Sequence, residues 1–137
     1  MIHYAGLSTS GQVMRWWNKA DRNNRTTQEL GHDAEQVALY YLNGQGLVHI
    51  ESNFRRPFGE IDLVMQEHGT LVFVEVRSRS NDEFGGAAAS VTKTKLHRMS
   101  MIGQVYLQRF QVSPPCRYDV VAIDDGKIEW IKNVVEV

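Results

Sequence analysis

The stretch that most constrains the fold runs Gly59-Glu60-Ile61-Asp62-Leu63-Val64-Met65-Gln66-Glu67, then His68-Gly69, then Thr70-Leu71-Val72-Phe73-Val74-Glu75-Val76-Arg77. Two apolar-rich runs around a two-residue turn predict a β-hairpin. With His68 and Gly69 as the turn, Glu67 pairs with Thr70. Counting outward sets Asp62 opposite Glu75 and Glu60 opposite Arg77. The same register puts Ile61, Leu63 and Met65 against Val76, Val74 and Val72, which makes one face wholly apolar. The other face carries Glu60, Asp62 and Val64 opposite Arg77, Glu75 and Phe73. Like charges directly opposite on a sheet repel. A divalent cation is the simplest group to offset that repulsion. The competing reading is a pair of solvated acids at a sheet end, one with a raised pKa.

The rest of the chain is that of an ordinary globule. Its 137 residues, 42% hydrophobic and 23% charged, suit one domain with a real core. A formal net charge of −1 argues against a protein basic all over, while leaving room for a local basic patch. The single cysteine, Cys116, allows no internal disulfide and reads as a small buried hydrophobe, which fits a reducing compartment. No apolar run reaches membrane-spanning length and the N-terminus lacks a secretory pattern, so the expected location is cytoplasmic and no membrane partner is expected. One cysteine and five scattered histidines offer no zinc spacing.

Residues 1–25 are polar, with Arg15, Lys19, Arg22 and Arg25 scattered through them, and read as a flexible, mildly basic arm. Trp16-Trp17 stands out within it, as a docking anchor or, more weakly, a base-stacking pair. From residue 26 to 137 the pattern is that of a folded domain. Thr26 or Thr27 caps a helix whose stripe is Leu30, Ala34, Val37, Ala38, Tyr41 and Leu42, closed by Asn43-Gly44. A first strand spans Leu47 to Phe54, with a turn from Arg55 to Gly59. After the hairpin, 78–89 reads as a loop. Ser90 or Thr92 then caps a second helix with Leu96, Met99, Ile102, Val105, Tyr106 and Phe110 on its buried side. Cys116 to Ile123 and Lys127 to Ile131 are the last strands. The second helix is long enough for a crossover that sets strands three and four parallel. Apolar residues on both faces of the central strands call for helices on both sides. The expected fold is therefore an α/β sandwich around a mixed five-stranded sheet.

Metal-assisted phosphodiester cleavage needs two carboxylates to hold Mg²⁺ or Mn²⁺ and a nearby cation to orient the phosphate. Asp62 and Glu75, roughly 4.5–5.5 Å apart at Cβ in the predicted register, suit that task. Arg77 projects from the same face, two residues on. Asp62 followed by Glu75-Val76-Arg77 resembles the D…(D/E)-x-K signature of the restriction-endonuclease-like superfamily. The wider string resembles the bacterial YraN family, endonuclease-like proteins similar to archaeal Holliday-junction resolvases. That string comprises Gly31, Glu35, Asn53-Phe54-Arg55, Gly59 to Leu63, Phe73 to Arg77, Phe84-Gly85, Ala87, Val91-Thr92, Lys95 and Arg117 to Val121. The match covers about residues 28 to 132. It implies a nuclease-type sheet between helices, Asp62 and Glu75 as metal ligands, and Glu35 as a third acid. It also implies DNA, branched or flapped, as substrate, and a symmetric homodimer as one assembly. The signature lysine is replaced here by Arg77, which stays charged and so cannot act as a general base. Arg77 is left to contact phosphate, to hold the carboxylates, or to pair with Glu60. Lys93 or Lys95 of the next helix is the candidate substitute.

Arg55, Arg56, Arg79, Lys93, Lys95 and Arg98 are all expected near one edge, by the hairpin and the start of the second helix. Cations at a helix N-terminus oppose its dipole, which makes more sense if an anion visits. These six are the candidate contacts to a nucleic-acid backbone. Three readings follow: a metal-dependent endonuclease, a nucleic-acid binder that keeps the nuclease fold with little cleavage, and a partner-binding scaffold in which the acids are idle.

Overall fold

The computed structural model describes residues 27–79 and 86–135, with side chains from Gly31 onward. The expected arm, with Trp16-Trp17, and Phe84-Gly85 lie outside these residues. The elements run α1 (Thr27–Gly44), β1 (Val48–Arg56), β2 (Gly59–Glu67), β3 (Thr70–Arg79), the one-turn α2 (Gly86–Ala89), α3 (Lys93–Leu107), β4 (Cys116–Asp124) and β5 (Lys127–Ile131). The sheet order is β1-β2-β3-β4-β5. Pairing is antiparallel throughout except between β3 and β4, which lie parallel. The mixed five-stranded sheet expected from the sequence is the one observed.

Helices cover both faces. On one side Ala34, Val37, Ala38 and Leu42 of α1 pack on Leu63, Met65, Val72, Val74, Val76, Val121 and Ile123. On the other, Met99, Ile102, Tyr106 and Leu107 of α3 pack on Phe54, Ile61, Val64, Leu71, Phe73 and Tyr118. The central strands bury both faces, which is why β2 reads as a continuous apolar run broken only by Asp62. The α3 side is close-packed: a Cβ on Gly103 would run into the Tyr118 ring, and one on Gly59 would sit 2.8 Å from Ile102 Cδ1.

The turns explain the register. His68 and Gly69 take φ of 49° and 84°, as a type I′ hairpin turn requires. Asp125 and Gly126, at 51° and 88°, close the β4–β5 hairpin in the same way. From Glu67–Thr70 to Leu63–Val74 the β2–β3 pairing follows the expected register. Beyond Leu63 it departs from expectation. The paired positions stop, and the Val76 amide donates to Asp62 Oδ2 at 2.8 Å. Ile61 packs with Val64 and Phe73 on the α3 side, not with Leu63 and Met65. Residues three apart share a face of a strand only where alternation is broken, so β2 has a bulge-like break at Asp62-Leu63 opposite the left-handed Asn53, while the β1–β2 register holds across it and shifts instead between His49 and Glu51.

Four smaller expectations are corrected. α1 ends at Gly44 as expected, but the left-handed glycine that caps it is Gly46 (φ 98°). Leu47 N donates to Leu42 O and Gly46 N to Asn43 O, a Schellman arrangement that places the left-handed residue two positions beyond Gly44. Arg55 and Arg56 belong to β1, and the turn is Pro57-Phe58. The loop before α3 contains α2. Thr92 does cap α3, accepting from Lys95 N at 3.2 Å, but the helix ends at Leu107, leaving Phe110 outside it and exposed.

One buried charge anchors the far side of the sheet. Asp119, fully buried, accepts from Arg117 Nε (3.1 Å), Trp130 Nε1 (3.0 Å) and the Asn133 amide (3.0 Å). Arg117 reaches on to Glu67 at 2.7 Å. This network ties β4 to β5, to the segment after it and to the end of β2. Removing one partner of a buried pair strands the other. Asp119→Ala is therefore expected to cost about 3–5 kcal/mol in urea unfolding. A loss below about 1 kcal/mol would contradict that role.

Candidate metal centre where β2 and β3 part

The acids gather at the bulge. Glu35 comes from the third turn of α1, Glu60 from the start of β2 and Asp62 from the bulge itself. One carboxylate oxygen of each lies within 4.8 Å of the others. Asn53 ties two of them together: its Nδ2 donates to Glu35 Oε1 at 3.0 Å and to Glu60 Oε2 at 3.3 Å. Asn53 holds φ at 55°, between the paired positions Ser52–Leu63 and Phe54–Ile61. Asparagine enters this left-handed region more readily than most residues. Arg55, on the same strand, approaches Glu60 at 3.6 Å as an exposed ion pair.

Glu75 stands on the other side of the gap. Val74 and Val76 pack toward α1, so strand alternation directs Glu75 toward α2 and α3. There Arg77 Nη1 donates to Glu75 Oε2 at 3.3 Å, and Arg77 Nε to Ser90 Oγ at 3.1 Å. Ser90 Oγ in turn donates to Ala87 O, fastening β3 to the α2 turn. Of the options the sequence leaves to Arg77, the structure has it holding the Glu75 carboxylate, while Glu60 pairs with Arg55 rather than with Arg77. Lys95, half-buried on the first turn of α3, adds positive charge near Glu75.

The electrostatics follow from burial and crowding. Asp62, 8% exposed, is pushed well above the ordinary carboxylate range by burial. The neighbouring Glu75, Glu35 and Glu60 push it further, against the Val76 hydrogen bond that favours its anion. Glu75 is raised by burial, with Arg77 and Lys95 opposing. Glu35 is raised by burial and by Glu60, with Asn53 opposing. Clustered hard oxygen donors whose charges destabilise one another suit a divalent cation of the Mg²⁺ or Mn²⁺ type. Asp62, Glu35 and Glu60 are the residues that can hold it, and the charge of Glu75 bears on Asp62 from the β3 side.

The sequence-based candidates separate on this geometry. Glu35, Asp62, Glu75 and Arg77 all lie around the gap. Among the basic candidates, Arg55 attends Glu60, Lys95 attends Glu75, and Arg79 donates to its neighbour's carbonyl at Ser78. Arg56 stacks on Phe54, while Lys93 and Arg98 are exposed on α3. Two participants were missed as such. The hairpin register places Glu60 opposite Arg77, although its i, i+2 spacing from Asp62 is itself a signal for two acids on one stretch of strand. Asn53 gave only a family match, because no local pattern announces a left-handed residue inside a strand.

Residues 34–123 match the family model described as "Uncharacterised protein family UPF0102", about two thirds of the chain. The chain belongs to the UPF0102 family, which is the YraN family. A UPF0102 protein of Janthinobacterium sp. (strain Marseille) is 52% identical over 113 residues, 82% of this chain and 92% of that protein. One from Herminiimonas arsenicoxydans is 50% identical over 115 residues, 84% and 93% of the two chains. One from Shewanella sp. (strain MR-4) is 48% identical over 102 residues, 74% and 94%. The matched span of this UPF0102 chain includes Glu35, Asn53, Glu60, Asp62, Glu75, Arg77 and Lys95. No helix among the described residues is long and apolar enough to cross a membrane.

The raised acids set the sign of a pH dependence. Between the ordinary carboxylate range and the raised folded values, the folded chain holds more protons than the unfolded one, so stability falls as pH rises. Asp62→Asn keeps an oxygen for the Val76 amide and removes the most strongly shifted charge. In EDTA the variant is expected to melt several degrees above wild type at pH 8, with the gap closing toward pH 4. A variant that melts lower than wild type at both pH values would contradict this account.

Proposed function

We propose that this UPF0102 protein is a metal-dependent endonuclease that hydrolyses phosphodiester bonds in DNA, with branched or flapped forms as its substrates. The observation that carries the reading is the placement of one buried aspartate, Asp62, among Glu35, Glu60 and Glu75, with Arg77 and Lys95 beside them. Grouped acids at a strand bulge weaken a fold and are retained where an ion or substrate makes use of them. A bound Mg²⁺ or Mn²⁺ supplies neutralising charge to the phosphate and acidity to a water. Asp62 is the shared ligand, Glu35 and Glu60 complete its side of the site, and Glu75 completes the β3 side. Asn53 keeps the two glutamates from splaying. Arg77 spends two of its donors on Glu75 and Ser90 and offers the rest of its fork to a phosphate oxygen. Lys95, whose positive charge bears on Glu75, takes the second phosphate contact.

The same clamp supports a second reading. A guanidinium fixed between Glu75 and Ser90 does not take up a proton at working pH, so a nuclease fold that binds DNA with little cleavage is the alternative. A nicking assay on branched and linear DNA separates the two. Wild type with Mg²⁺ or Mn²⁺ is expected to nick, and EDTA to stop it. Asp62→Asn and Glu75→Gln are each expected to lower the rate at least ~100-fold with DNA binding retained. Binding without nicking by wild type favours the second reading. Nicking that survives both substitutions rules out this site.

A further inference from the structure

The α3 side of the edge strand β1 carries a second group of cations, built on aromatic rings and remote from the acids in role. Phe54 and Tyr106 meet edge to face, centroids 5.1 Å apart and planes at 84°. Arg109, just beyond α3, lies over the Tyr106 ring at 3.7 Å and over the Phe54 ring at 5.3 Å, in the corner that the two rings form. Arg56, at the end of β1, lies over Phe54 at 4.2 Å. Both guanidinium carbons are thus within 5.3 Å of the same ring centre. Arg56 also donates to the Arg55 carbonyl at 2.6 Å. Arg109 approaches Glu51 at 3.5 Å, an exposed contact of the weak kind that an incoming anion displaces.

Long cationic side chains on a surface usually give up much freedom when they bind. Stacking on the buried Phe54 and Tyr106 rings restricts Arg56 and Arg109 in advance, and a stacked guanidinium keeps its in-plane N–H groups for a planar or tetrahedral oxyanion. Phe54 pairs with Ile61, the residue next to Asp62, so the platform stands one strand and one position from the acid cluster. We propose that Arg56 and Arg109, on the Phe54–Tyr106 platform, form a phosphate-binding site that grips the DNA backbone beside the scissile position. This rests on the reading of the protein as a DNA-acting one, and deepens it. It adds Arg109, which the sequence did not single out, and gives Arg56 a defined seat. The site is electrostatic and reads no bases.

The test is a salt titration of binding by fluorescence anisotropy, with the full chain in EDTA and a labelled branched duplex as probe. Arg56→Ala and Arg109→Ala are each expected to weaken binding roughly three- to tenfold and to reduce the slope of log K against log salt by about one. The double variant should reduce it by about two. Arg109→Lys keeps the charge and should keep the slope. Thermal melts at the wild-type temperature show that the variants fold, and the lysine variant serves if the alanine variant does not. Wild-type binding with slopes unchanged in both alanine variants overturns the platform alone and leaves the acid site standing. Wild type that binds no DNA overturns both. Slopes that fall as stated in EDTA, where no metal-dependent cleavage occurs, support the platform independently of cleavage.

Discussion

One hydrogen bond organises the site: the amide of Val76 on β3 donates to the carboxylate of Asp62 on β2. A side chain serves there where a ladder carbonyl ordinarily would. That substitution has two consequences. It ends the β2–β3 pairing at Leu63–Val74 and sends Ile61 to the α3 face. It also holds a carboxylate inside the sheet, where burial and three neighbouring acids oppose its ionisation. The remaining site residues can be described by how they border this gap: Glu35 and Glu60 on the α1 side with Asn53 between them, Glu75 and Arg77 on the other.

The scaffold around the gap is rigid for reasons that have nothing to do with the acids. Both faces of β2, β3 and β4 are covered, the α3 side so tightly that Gly103 has no room for a methyl group against Tyr118. On the opposite face Asp119 and Arg117 bind β4 to its surroundings. The two buried aspartates make an instructive contrast. Asp119 has a cation, an indole and an amide, and its charge is satisfied within the chain. Asp62 accepts from the Val76 amide and has Glu75, Glu35 and Glu60 as charged neighbours that oppose its ionisation. Each unit of raised pKa corresponds to about 1.4 kcal/mol of preference for the protonated form, so Asp62 is the group whose charge most needs an external partner.

Much of the fold was legible in the sequence because its signals are local. His68-Gly69 and Asp125-Gly126 are turn pairs whose left-handed angles only certain residues accept, and they set the hairpins. The helical stripe from Ala34 to Leu42 and the Thr92 cap likewise declare themselves. The bulge was not legible. Simple alternation groups Ile61 with Leu63 and Met65 and sets Asp62 in the ladder opposite Glu75, because period-two counting has no means of placing a break. The correct ion pairs were hidden for the same reason: once β2 shifts, Glu60 meets Arg55 and Asn53, and Arg77 is left to Glu75. The Arg109 seat depends on where α3 stops, which the sequence placed too late, at Phe110.

The central claim is that the Asp62 cluster is a cation site. Anomalous diffraction from crystals soaked in millimolar Mn²⁺ at pH 8 tests it most directly. The account predicts one anomalous peak at the bulge, roughly 2.0–2.6 Å from an Asp62 oxygen and from oxygens of at least two of Glu35, Glu60 and Glu75. Ordered carboxyl groups hydrogen-bonded to one another under those conditions, with no anomalous peak among them, would contradict it.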